Sequence, residues 1–194
     1  TVAVEPVERA LIDASTRLPV LVFYASAIAW LLFATVLGVI TAIQMHAPDF
    51  LAGPSFLTWG RIRPAHLNAL IYGWGSMAGM GTAIWLMARL CRTTLRHPLL
   101  LMSSAAFWNL GVLMGILGIL IGQSTGYEWL EFPGYSAITL FVAYLLMMTW
   151  ALIMFRYRRR GHIYITQWYL LGAFLWFPWL YAAAQVMLFI LPVQ

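Results

Sequence analysis

Five long apolar runs dominate the chain, separated by short polar segments. They cover about residues 19–45, 65–90, 99–122, 135–155 and 165–191. Each is long enough to cross a bilayer core, which takes roughly 20 helical residues. None carries a charged side chain well inside it. Lipid offers no partner to backbone N–H and C=O groups, so such runs must be helical. The pattern predicts an all-α, polytopic transmembrane helix bundle with five spans. Its transmembrane domain covers residues 19–191 and follows an N-terminal tail over residues 1–18. The connections are short except for residues 45–64, rich in Pro, Gly, Trp and Phe, which read as a loop folded over the membrane face. Gly111, Gly115, Gly118 and Gly122 share one face of the third span, and Gly75 and Gly79 form a small pair on the second. Both patterns predict close helix approach.

Composition agrees with the pattern. The chain is 63% hydrophobic and 9% charged, with a mean hydropathy of +0.84, outside the range of ordinary soluble domains. It has no lysine; eleven arginines against six acids leave a net charge of +5. The arginines lie between the apolar runs, so they read as topology signals and not as a nucleic-acid surface; the expected surroundings are a lipid membrane. Arg9, Arg17, Arg89, Arg92, Arg96, Arg156, Arg158, Arg159 and Arg160 fall on one side of the bundle. The positive-inside rule makes that side cytoplasmic, with the N-terminus on it. No signal-peptide pattern precedes the first span, since Glu5, Glu8 and Asp13 come ahead of it. Cys91 is a lone cysteine, read as a small residue near a helix end.

Arg61 and Arg63 break the charge rule, which assigns them to the opposite side. They stand just before His66, about a turn inside the second span, with Pro64 expected to start the helix. Ionisable groups within a membrane are costly and usually functional. Imidazole is a common axial ligand of haem iron, and the guanidinium fork suits carboxylates such as haem propionates. His66 is therefore the candidate haem ligand and Arg61 and Arg63 the candidate propionate partners. The bland alternative for His66 is a capping or interfacial histidine. Gly73 lies seven residues on, two turns deeper on the same face, where a flat macrocycle needs a gap. His46 reads as an interfacial residue, although a pair with His66 is conceivable; His97 and His162 read as solvated. Glu128 and Glu131 are either solvated loop acids, partners of Arg61 and Arg63, or oxygen ligands of a cation such as calcium. No local metal-binding spacing, nucleophile elbow, phosphate loop or dinucleotide fingerprint occurs.

The stretch Arg61-Ile-Arg-Pro-Ala-His66-Leu-Asn-Ala-Leu-Ile-Tyr-Gly73 resembles the second transmembrane helix of subunit I of the haem-copper oxidase superfamily. It is most similar to the cbb-type cytochrome c oxidases, with nitric oxide reductases as near relatives. Glu128-Trp-Leu-Glu131 and His162-Ile-Tyr-Ile-Thr-Gln-Trp168 are similar to the same subunit. The resemblance implies that His66 is an axial ligand of low-spin haem b, that Arg61 and Arg63 neutralise its propionates, and that Glu128 or Glu131 lies near them and a calcium ion. It implies the N-terminal five-helix portion of a subunit of about twelve helices, with no catalytic residue of its own. The high-spin haem, the copper and the dioxygen-reducing site then belong to the remainder of the subunit. The implied partners are that remainder or other oxidase subunits and a c-type cytochrome donor. The implied reaction is reduction of dioxygen to water with proton translocation. The rival readings are a nitric oxide reductase large subunit and a non-catalytic b-haem anchor or interaction subunit.

Overall fold

The structure, a computed structural model, describes residues 6–161 and 163–190. His162 and the last residue of the fifth predicted span lie outside them. Among the described residues every regular element is a helix. In chain order these are α1 (Pro6–His46), a short 3-10 turn (Ser55–Leu57), α2 (Trp59–Asn68), a π-helical segment (Ala69–Gly75), α3 (Ser76–Cys91), α4 (Pro98–Leu120), α5 (Gly134–Arg156) and α6 (Ile165–Phe189). Right-handed helical dihedrals continue through Asn68, Gly75 and Ser76, so α2, the π segment and α3 form one rod. The helices α1, α4, α5 and α6 are each long and apolar enough to cross a membrane. The chain is an integral membrane protein.

Two boundaries differ from the sequence pattern. The stretch expected as a tail is helical from Pro6. At about 1.5 Å per residue, the 41 residues of α1 are about twice as long as the hydrocarbon core is thick. The second span starts at Trp59, so Pro64 sits inside the helix and does not begin it. Arg61 and Ile62 already donate their backbone N–H groups to Thr58 O, at 2.9 and 3.0 Å. Arg61 and Arg63 therefore stand on helix, not loop.

The rod packs against α1 along much of its length, α4 packs most extensively on α5, and α6 lies against α5 and α3. The glycine face of α4 works as expected. Leu140 lies on Gly111, Phe132 on Gly115, and Pro133 with Tyr135 on Gly118. Gly122 has a φ of +90°, the left-handed conformation that favours glycine after a helix end. The expectation for Gly75 and Gly79 is not met. Both are exposed, and a methyl on Gly79 would meet nothing within 4 Å. Gly81 takes the α1 contact on that rod instead, against Phe23 and Tyr24.

The ends of the bundle sort by charge as the arginine pattern predicted. Glu8 and Asp13 of α1 meet Arg159 (3.0 Å) and Arg89 (2.8 Å). Arg159 N–H also donates to Cys91 O at 2.9 Å. This draws the N-terminal part of α1 and the ends of α3 and α5 to one end. Arg61, Arg63 and the segment before α5 share the other.

Gly115→Val should push Phe132 out of its seat and lower stability by about 1–3 kcal/mol, the usual cost of overpacking. Gly79→Ala should leave stability within about 0.5 kcal/mol. Thermal unfolding of the detergent-solubilised full-length protein checks the pair.

Candidate functional site

Four residues of the rod divide it into two working faces. His66 and Gly73 meet α1, whereas Asn68 and Tyr72 reach the segment between α4 and α5. The His66 ring lies against Gly38, where a methyl carbon would come within 2.7 Å of its Cε1 atom. Its Nδ1 is 2.7 Å from Ala34 O. A carbonyl only accepts, so Nδ1 carries the proton and donates. In the neutral ring this leaves the lone pair on Nε2, which has no hydrogen-bond partner among the described residues. Ala34 O sits one turn before Gly38 and also lies where Gly38 N–H bonds in an α-helix. The missing side chain at Gly38 is what opens that carbonyl to a second donor. A ring N–H fixed on a carbonyl is the arrangement that sets the tautomer of a metal-binding histidine.

Gly73 differs from its expected role. The space beside it is filled by Trp30, with a methyl carbon there only 2.6 Å from the indole Cγ. Trp30 is held in turn by Asn109 Oδ1, which accepts from its Nε1 at 2.8 Å. The glycine thus gives room to a tryptophan of α1, not to an open slot along the rod. His46 ends α1 and is exposed. It lies eight residues beyond Gly38, about 12 Å along the helix, so the two histidines are not brought together. His97 is exposed at the start of α4.

The π segment lies between these contacts, and π turns recur at functional sites. Their loosened ladder leaves carbonyls to be taken up by side chains. Ser76 Oγ donates to Ile71 O at 2.9 Å, and Trp108 Nε1 donates to Tyr72 O at 2.7 Å. On the second face, Tyr72 OH donates to Trp129 O. Asn68 Nδ2 donates to Glu131 Oε2 at 3.0 Å and to Pro64 O at 2.8 Å. Asn68 is fully buried and Glu131 nearly so, and Asn68 Oδ1 has no partner.

The two acids that the sequence left equivalent are different in place. Glu128 is exposed and pairs loosely with Arg63 at 3.9 Å, while Arg63 also lies over the Trp59 ring. Arg61 Nη1 donates to Leu120 O at 3.0 Å, at the last turn of α4, and more weakly to Ser55 Oγ. No three His, Cys, Asp or Glu side chains converge among the described residues. Calcium takes six to eight oxygens, which Glu128 and Glu131 alone do not provide. Sequence reasoning missed Gly38, Trp30, Asn68 and Tyr72. The available signal was Asn68, an amide at the fourth residue of an apolar run.

A family model described as "Cytochrome C and Quinol oxidase polypeptide I" matches residues 19–193. A cbb3-type cytochrome c oxidase subunit CcoN1 of Stutzerimonas stutzeri is 31% identical over 156 residues, 79% of this chain and 32% of that protein. A cytochrome c oxidase subunit 1 homolog of Agrobacterium tumefaciens (strain T37) is 30% identical over 145 residues, 74% and 26% of the two chains. A further subunit 1 homolog, from Azorhizobium caulinodans, is 27% identical over 157 residues, 79% and 28%. The chain spans about a quarter to a third of the length of these curated relatives.

Asn68→Leu should cost about 1–3 kcal/mol, because it leaves the buried Glu131 carboxylate without its donor. Glu128→Gln should cost less than about 1 kcal/mol, as exposed ion pairs do. Equal losses in thermal unfolding of the two variants would contradict this difference between the acids.

Proposed function

The chain belongs to the cytochrome c and quinol oxidase polypeptide I family, and we propose that it forms part of the catalytic subunit of a cbb-type respiratory oxidase. The observation that carries the reading is the His66 imidazole. Its Nδ1–H is held by Ala34 O, which in the neutral ring leaves Nε2 the lone pair that an axial ligand requires. Low-spin haem b, when bound, supplies one-electron transfer between ferric and ferrous iron. His66 would hold the iron, and the Ala34 carbonyl would raise the basicity of the ligand and keep its ring oriented. Arg63, half-exposed beside the loosely held Glu128, is the better placed propionate partner. Arg61 would serve the propionates only while also closing the last turn of α4.

The donor chemistry fits the iron, but the surface towards Gly73 does not fit a macrocycle lying along it, because Trp30 occupies it. The ring would have to lie elsewhere around His66. Glu131, facing Asn68, is the more buried candidate for a calcium oxygen, and any such ion would need further ligands from outside these residues. The high-spin haem, the copper and the four-electron reduction of dioxygen to water are assigned to the remainder of the subunit. Electrons would come from a c-type cytochrome, in a bacterial inner membrane with the arginine-rich end cytoplasmic.

His66→Ala in the assembled full-length complex should abolish the low-spin b signal in a reduced-minus-oxidised spectrum; a full signal would end the ligand assignment. Gly38→Val should keep haem stoichiometry near normal while shifting the band and potential, because the ring is displaced without being removed. Arg63→Gln should lower the midpoint potential, since loss of a positive charge favours the ferric state. An unchanged or raised potential would count against propionate pairing.

A further inference from the structure

Between the N-terminal part of α1, the end of α3 and the start of α6 lies a cavity of about 250 Å³, lined by Arg9, Ile12, Arg89, Leu90, Arg92 and Tyr164. Its acids are already used. Asp13 accepts from Arg89 at 2.8 and 3.0 Å and from Trp85 Nε1 at 3.0 Å. Both Glu8 oxygens accept from Arg159, at 3.1 and 3.0 Å. Arg92 shares Glu8 through one ion pair, 3.6 Å to Oε2, too long for a hydrogen bond. Its side chain is only 19% exposed, and its Nε is buried with no partner. Arg9 has no ion pair among the described residues.

A largely covered guanidinium that makes one long ion pair and no hydrogen bond is under-satisfied. Arg92 also holds a left-handed backbone (φ +52°, ψ +44°) at the C-cap of α3, where glycine or asparagine is usual. An anion rich in acceptor oxygens, small enough for the cavity and reachable at the polar end of a membrane bundle, would supply the hydrogen bonds that Glu8 does not. We propose that Arg9 and Arg92 form a binding site for a phosphate group, supplied by an anionic phospholipid headgroup or by free phosphate. Guanidinium forks match phosphate oxygens bidentately. Leu11 on α1 and Ile165 at the start of α6 are exposed apolar side chains on the elements that border the cavity.

The test uses the assembled full-length complex in nanodiscs. A photoactivatable phosphatidylglycerol should crosslink to peptides containing Arg9 or Arg92, and the crosslinking should survive millimolar inorganic phosphate if the ligand is a lipid. If the ligand is free phosphate, inorganic phosphate should instead suppress crosslinking and raise the unfolding temperature. In either case the apparent affinity should fall about tenfold in Arg92→Gln, the worth of a charge-assisted hydrogen bond. Arg9→Gln, an exposed change that leaves the fold alone, should weaken it in the same direction, while Arg156→Gln should not. Neither crosslinking nor phosphate stabilisation, or equal weakening by Arg156→Gln, would overturn the site.

Discussion

The contact between the His66 ring and Gly38 sets how the rod and α1 sit together. One glycine lets an imidazole lie directly on backbone and share a carbonyl with the helix that owns it. With that distance fixed, the neighbouring contacts follow in register. Trp30 falls on Gly73, and Gly81 falls on Phe23 and Tyr24. A β-carbon at position 38 would separate the helices at the one place where a side-chain N–H must reach a main-chain oxygen.

The other face of the rod depends on the same alignment. Asn68 and Tyr72 are four residues apart and hold the segment before α5 through Glu131 and Trp129. That segment in turn seats Phe132 on Gly115 of α4. A chain of contacts therefore runs from α1 through the rod to α4 and α5. The candidate ligand stands on one side of it and the candidate acid on the other.

Much of this was readable without coordinates. Long uncharged apolar runs admit little except membrane helices, and the arginine distribution separated the two ends correctly. The small face of α4 was legible because four glycines at helical spacing have few other uses. The pairing of His66 with Ala34 and Gly38 was not legible. It joins positions 28 or more residues apart, and Gly38 is one glycine within an apolar run. Gly79 shows the reverse error: its spacing suggests packing, yet its side of the rod is open. Pro64 misled because a proline near a helix start usually marks the first turn, whereas here Thr58 already accepts the first N–H bonds.

The π segment gives the rod a property that ordinary helices lack. A wide turn holds more residues per revolution, so it shifts the angular phase of everything that follows. The surface that carries His66 and the surface that α3 presents to its neighbours are thus set independently, as two protractors joined by a slack coupling. Removing one residue between Ala69 and Gly75 would close the coupling and turn α3 by about 100° relative to His66. Length in this stretch is an angle between His66 and every residue that follows it on the rod.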